Sequence, residues 1–323
     1  MSRASLRGRL TGSVSVLGFR LGWSAVRAMP ERAAYGLFER IADAAVLRGG
    51  KGVERLRSNY ARVRPELTPD ELDDLVHDGM RSYMRYYCEA FRLPSLRPGQ
   101  IDRAATVSGY EPLRDTCRAG GTAIAFVGHL GNFDMAAAWS ARNLAPVTTV
   151  AERLKPEEVF QDFVAFRNSI QMDIIPLEGA ENPFHELLRT AKRGGRLIAL
   201  ASDRDLTANG VEVDLLGHRA RMAKGPALLA LMTDSPLYAA RVHYEKAPPG
   251  EGLGGYRTVV ELSPRLMPRV DGSTAEQAQD LVQQCADHLA ATIRTHTSSW
   301  HMLQRVFVED LDPVRAPAGR VAT

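Results

Sequence analysis

The stretch Thr122-Ala-Ile-Ala-Phe-Val-Gly-His129-Leu-Gly-Asn132-Phe-Asp134-Met135 decides how the rest of the chain is read. Ala123 to Val127 is an unbroken apolar run, as expected of a strand buried on both faces. Gly128 and Gly131 punctuate its end, and a helical pattern opens at Phe133. In an open α/β sheet, ligands bind outside the carboxyl ends of strands, and His129 stands at such an end. Asp134 falls in the first turn of the helix, where reversal of the chain brings its carboxylate back toward the imidazole. A carboxylate that holds one ring nitrogen leaves the other to accept a proton from a hydroxyl. A core histidine followed by a helix-capping aspartate would leave the same pattern.

Outward from this segment, strands and helices alternate. Strands are expected at 122–128, 147–151, 172–177, 196–202, 211–216, 236–243 and 256–262, with helices at 133–143, 156–171, 181–193, 223–232 and 274–296. This interleaving predicts an α/β fold with a central, largely parallel sheet flanked by helices. Residues 1–103 read as an N-terminal helical extension, 104–312 as the α/β domain and 313–323 as a disordered tail. Within the extension, Pro30 separates two helices. The second carries Leu37, Phe38, Ile41 and Ala45 and stops near Gly49-Gly50. Thr68-Pro-Asp-Glu71 is a capping box with proline at the first helical position. The helix it starts, with Leu72, Val76, Met80, Tyr83 and Tyr87, ends before Pro94.

Composition narrows the classes. At 323 residues and 45% hydrophobic content there is material for a full core. Net charge is only +3, but basic residues crowd the first third: Arg3, Arg7, Arg9, Arg20, Arg27 and Arg32, then Arg48, Lys51, Arg55, Arg57, Arg62 and Arg64. Such a skew suits an anionic membrane surface or a phosphate-bearing ligand. No nucleic-acid motif accompanies it, so no nucleic-acid partner is expected. Cys88, Cys117 and Cys285 lie far apart, which fits neither a disulfide framework nor a zinc site. Residues 13–29 are too interrupted by Gly18, Arg20, Gly22 and Arg27 to span a bilayer. With Phe19, Trp23 and Val26 on one side, they suit a helix lying in a membrane interface, or one packed on the domain.

Several residues offer chemistry. Arg167 shares a helical stripe with Phe160, Phe163 and Ile170, so it faces inward and requires a partner: Glu152, Asp203 or an anionic ligand. Ser202-Asp203-Arg204-Asp205 follows the apolar run Leu197–Ala201 and belongs to the same carboxyl edge as His129. Either Asp134 or Asp203 would serve to orient His129. Backbone N–H groups around Gly131 and Asn132 are candidates to hold an oxyanion. Metal-ligand spacings, a Walker A loop, a G-x-G-x-x-G turn and a G-x-S-x-G elbow are all absent from the sequence. No metal, no cofactor and no acyl-serine are therefore expected.

His-Leu-Gly-Asn-Phe-Asp resembles the H-x4-D/E signature of the lipid A lauroyl/myristoyl acyltransferases. The resemblance runs from about residue 10 to about residue 310 and is strongest to the phosphatidylinositol mannoside branch. Asn59-Tyr-Ala-Arg-Val, Tyr83 to Pro94, Ala151-Glu-Arg-Leu, Ser202-Asp-Arg-Asp-Leu and Trp300-His-Met-Leu carry it further. Many lipid A enzymes have Glu where this chain has Asp134, which again favours the mannoside branch. Glycerol-phosphate acyltransferases share the first motif, but their Phe-Pro-Glu-Gly-Thr block is absent here.

The resemblance implies transfer of a long fatty acyl chain from acyl-CoA to a mannose 6-hydroxyl of a membrane glycolipid, at the cytoplasmic face of the plasma membrane. His129 would be the base, with Asp134, and Asp203 as the alternative, as the catalytic carboxylates that hold its imidazole and stabilise the protonated form. Glu152 and Arg167 would line the groove, and Arg204 and Asn132 would join them as substrate contacts. Arg219, Arg221 and Lys224, within Gly217–Pro226, would meet phosphate, though a solvated hairpin explains that segment as well. The alternatives are a lipid A-type or glycerolipid acyltransferase with another acceptor, a non-catalytic lipid-binding protein, and a metal-dependent hydrolase.

Overall fold

A computed structural model describes residues 22–152, 157–178, 182–205 and 209–311. Two helical elements begin it: α1 at 22–28 and α2 at Glu31–Arg48. After them come α3 (Lys51–Val63), α4 (Pro69–Arg92) and α5 (Pro98–Ala104). The capping box expected at Thr68 is formed: the Thr68 N–H donates to Glu71 Oε2 at 2.8 Å, and the Glu71 N–H donates to Thr68 Oγ1 at 3.3 Å.

The remainder runs β1 (Ala105–Ser108), α6 (Glu111–Arg118), β2 (Thr122–Val127), α7 (Phe133–Asn143), β3 (Val147–Ala151), α8 (Glu157–Ser169) and β4 (Met172–Pro176). It continues with α9 (Pro183–Arg193), β5 (Arg196–Ala201), β6 (Val211–Leu215), β7 (His218–Met222), α10 (Gly225–Thr233), β8 (Leu237–Lys246), β9 (Tyr256–Leu262) and α11 (Thr274–Thr295).

Seven strands form one sheet in the order β1-β9-β8-β2-β5-β3-β4. The five from β8 to β4 are mutually parallel, while β9 is antiparallel to β8 and carries β1 alongside it in parallel. The expected strand and helix positions agree with the observed elements to within a few residues at each end, although the strand expected at 211–216 lies outside this sheet. Two strands escape the sequence pattern. β1 has four residues and a single buried position, too short for a period to register. β7 lies in the basic Gly217–Pro226 segment and pairs with β6 as a separate two-stranded hairpin.

Every residue of β2 is buried, because β8 and β5 flank it and helices cover the sheet. One continuous buried cluster joins this sheet to the N-terminal helices, including Leu56, Tyr60 and Met80 beside Phe126, Leu289 and Trp300. The Asn59-Tyr60 pair explains the joint. Asn59 Nδ2 donates to the carbonyls of Met302 (2.7 Å) and Gln304 (2.9 Å), and Tyr60 donates to that of Trp300 at 2.9 Å. Two segments that carry the family resemblance, some 240 residues apart in sequence, are thus in direct contact.

Trp23 and Val26 are buried, with the Trp23 ring edge-on to Phe166 and its indole N–H donating to the Phe91 carbonyl. Of the two sequence readings of that helix, these side chains follow the one in which it packs on the domain. Phe19 and Arg20 lie outside the described residues, as does the tail from 312. Among the described residues, no helix is long and apolar enough to cross a membrane.

We expect Asn59→Ala to strand buried carbonyls on the 302–304 segment and to lower unfolding stability by about 1–3 kcal/mol. Urea denaturation followed by circular dichroism measures it. An unchanged midpoint would mean that this clasp contributes nothing.

Candidate active site

Parallel pairing aligns Val127 with Ala201, so the residues two beyond each, His129 and Asp203, emerge side by side. The Ser202 N–H extends the ladder to the Val127 carbonyl at 2.9 Å. Asp203 Oδ1 lies 2.5 Å from His129 Nδ1, and Oδ2 accepts the backbone N–H of His129 at 2.9 Å and the Trp300 indole N–H at 3.3 Å. Burial drives this carboxyl upward, but the His129 charge, the ring and backbone N–H groups and the indole together hold it below its ordinary value. The acid therefore stays ionised beside the ring and fixes Nδ1 as the donor. The His129 side chain is 30% exposed, and among the described residues no hydrogen bond engages its Nε2.

The loop after His129 is clamped to the segment following α11. The His301 N–H donates to the His129 carbonyl and the Gly131 N–H to the Ser299 carbonyl, both at 2.8 Å. Gly131 has φ +52° and lies so close to β8 that a Cβ would come within 3.0 Å of the His243 backbone, so glycine is required there. Because its N–H is already taken, Gly131 is removed from the candidate oxyanion donors. With the Met135 and Ala136 N–H groups bonded to Asn132, the N–H groups of Asn132, Phe133 and Asp134 remain.

Asp134 does not turn back to His129. It is fully buried at the start of α7, accepts the Tyr86 hydroxyl at 3.0 Å, and stands 2.8 Å from Arg167 Nη2. No hydrogen bond or ion pair joins it to His129 among the described residues. The helix start directs this carboxylate into the interface with α4 and α8, so the acid in contact with the imidazole is Asp203. Arg167 is buried, as its stripe predicts, and its guanidinium stacks over Phe163 at 4.1 Å. Its carboxylate partner is Asp134, which was not among the three candidates of the sequence reading. Of those, Glu152 is 73% exposed and lies 3.6 Å from Arg204, and Asp203 serves His129.

The basic hairpin divides. Arg219 is 72% exposed and pairs with Glu212 on the neighbouring strand. Lys224 is half-buried and follows Ala223, whose N–H donates to the Ser202 carbonyl at 3.0 Å. Lys224 therefore stands near the Asp203 edge, whereas Arg219 is directed along the outside of the hairpin.

Two further contributors were not singled out in the sequence, and a third entered it only within the Trp300-His-Met-Leu piece. Glu89 on α4 is buried and accepts from Asn132 Nδ2 (2.7 Å), Tyr244 (2.8 Å) and Tyr35 (3.1 Å). Burial pushes this carboxyl up, against the pull of those hydrogen bonds and of Arg85. Asn132, held in this way, caps α7 by accepting the Met135 N–H at 2.8 Å. Tyr86, the second contributor, is the Asp134 donor. The third is His301, whose Nε2 lies 2.9 Å from Ser82 Oγ; burial, Arg85 and His129 bring it down to about 3. A signal was available, since Ser82, Tyr86 and Glu89 recur at helical spacing on the buried face of α4.

The bacterial lipid A biosynthesis acyltransferase model matches residues 12–309. A phosphatidylinositol mannoside acyltransferase of Mycolicibacterium smegmatis is 40% identical over 313 residues, 96% of this chain and 98% of that protein. One from Mycobacterium tuberculosis is 36% identical over 316 residues, covering 96% and 93% respectively.

Two stability outcomes follow from these buried charges. Asp134→Asn leaves the Arg167 guanidinium without its counter-charge, and we expect a loss of about 3–5 kcal/mol in urea unfolding. A stable variant would show that Arg167 reaches another anion or solvent. The second outcome concerns acid. The folded value of His301 lies below its ordinary 6.5, so the unfolded chain binds the proton first as pH falls. Stability should therefore decline from about pH 6.5 toward about pH 3, and Asp203 adds a loss below its ordinary carboxyl range. His301→Asn should flatten the decline between pH 7 and 5. An equal slope in the variant would assign the proton uptake elsewhere.

Proposed function

Since the chain belongs to the bacterial lipid A biosynthesis acyltransferase family, we propose that it moves a long fatty acyl group from acyl-CoA to a mannose hydroxyl of a phosphatidylinositol mannoside. The observation that carries the mechanism is the His129–Asp203 pair at the carboxyl edge of the sheet, with no hydrogen bond on Nε2 among the described residues. The acceptor is supported by relatives of that name across 96% of the chain, and the 6-hydroxyl is the position the sequence resemblance implies.

In this reading His129 Nε2 takes the hydroxyl proton as the oxygen attacks the thioester carbonyl. Asp203 stabilises the imidazolium, and positioned base catalysis of this kind contributes about 10²–10⁴-fold. The oxyanion is held by N–H groups at the start of α7, where the helix dipole adds its positive end. Collapse of the tetrahedral species expels the CoA thiolate, which recovers the proton from His129. A thioester is already activated, so no acyl-enzyme, metal or cofactor is invoked. Arg204, Lys224 and Glu152 are the proposed substrate contacts around this edge. Asp134 and Arg167 support the α7 start from behind.

We further propose peripheral attachment at the cytoplasmic face of the plasma membrane, with α2 as the contact. Its outer face presents Leu37, Ile41 and Leu47, the last 86% exposed, bordered by the exposed Arg32, Arg40, Arg48 and Lys51. Apolar side chains would enter the interface while each basic residue contributes about 1 kcal/mol against anionic lipid. This stripe takes the place of Trp23 and Val26, which are committed to the interior.

Labelled acyl-CoA with a panel of purified glycolipids tests the activity. Phosphatidylinositol mannosides should be acylated, and His129→Ala should abolish transfer in a folded protein. Asp203→Asn should lower kcat far more than it raises KM for the donor. Transfer to lipid A precursors alone would overturn the acceptor, and a folded, active His129→Ala the base. Flotation with anionic liposomes tests attachment. Capture should weaken in high salt and in the Leu37→Glu, Ile41→Glu variant. Equal capture of that variant would remove α2 from the contact.

A further inference from the structure

Behind the catalytic loop, on the far side of Gly131, lies a cluster the acyl-transfer reading does not use. His243 and Glu245 are two apart on β8 and share one face of the strand. His296 stands at the carboxyl end of α11 and brings its ring onto His243, with centroids 3.8 Å apart and planes inclined by 23°. One donor atom from each of the three residues falls within 4.8 Å of the others. Among the described residues this is the only such group of three or more histidine, cysteine or carboxylate side chains.

We propose that His243, Glu245 and His296 bind a first-row divalent transition-metal ion, of which Zn2+ is the type. His243 Nε2 and Glu245 Oε1 are 3.4 Å apart. Two donors at about 2.0–2.2 Å from a tetrahedral ion are separated by roughly that distance. Two imidazoles with one carboxylate suit Zn2+, Co2+, Ni2+ or Cu2+, and supply too few oxygens for Ca2+ or Mg2+.

A further feature fits a metal site. Glu245 Oε2 is held by Arg257 at 3.1 Å, the outer-shell support that ligating carboxylates require. His296 is only half-buried, so it provides the entry path, and ligation by both rings would require it to leave its stack on His243. Three protein ligands leave the fourth position to water.

The site would tie β8 to the end of α11. These two segments already grip the catalytic loop, through the His243 backbone behind Gly131 and the Ser299 carbonyl on its N–H. A bound ion would act as a clamp on that loop from outside the reacting centre.

The test uses the full chain, stripped with a chelator and titrated with Zn2+ and separately with Co2+. One saturable equivalent per chain is expected, with a rise in Tm and a visible Co2+ absorption from imidazole and carboxylate ligation. Glu245→Gln and His296→Gln should each abolish that equivalent while circular dichroism stays unchanged. Arg257→Gln should weaken it about tenfold. His129→Ala should bind as the parent does. No saturable equivalent, or binding that survives in both ligand variants, would overturn the proposal. So would binding lost in His129→Ala, because the ion would then occupy the catalytic pair.

Discussion

The in-register parallel pairing of β2 with β5 is the constraint on which the site depends. It converts two distant strand ends into neighbours, so that a histidine and an aspartate 74 positions apart in sequence meet at 2.5 Å. A shift of one residue in this ladder would move His129 off Asp203 and turn each side chain of the displaced strand to the other face. The complete burial of β2 opposes such a slip, since apolar side chains on both faces have only one register that fills the core.

α4 holds this edge from behind with two buried carboxylate centres of opposite design. Glu89 is on α4 itself and is surrounded by neutral donors, with no ion pair among the described residues, and it anchors Asn132. Asp134 is on α7 and is paired with a guanidinium, with Tyr86 of α4 completing the contact. The first is a hydrogen-bond network that sets the start of α7, and the second an ion pair whose partners each lose their compensation if the other is removed. The helix-start geometry at His129 is therefore over-determined by residues that need not touch substrate.

Much of this was legible in sequence because parallel sheets write their strands as apolar runs and their ligand edges as turns. The runs at Ala123–Val127 and Leu197–Ala201 located both His129 and Asp203 without a structure. The choice between Asp134 and Asp203 was not legible. Proximity along the chain favours Asp134, but the side chain of a first-turn residue follows the helix, and α7 aims it at Arg167. The Asp134–Arg167 pair was missed for the related reason that a stripe shows which way an arginine faces and not what waits there. Trp23 illustrates the same ambiguity, since an amphipathic pattern is identical for a helix on a membrane and one on its own domain. β1 left too few residues for any period to register.

Trp300, His301 and Ser299 have a consequence in time as well as in space. The imidazole, its acid and the β2 and β5 strands that carry them are all made by residue 203, yet the indole donor and both backbone clamps on the His129 loop come from 299–301. Chains emerge from the ribosome amino end first and begin to fold as they do so. The sheet can assemble around β2 and β5 while the loop still lacks its last restraints. On the proposed mechanism, competence thus waits for residues 299–301 to be made. A chain that stops short of them carries the His129–Asp203 pair without the restraints that hold its loop.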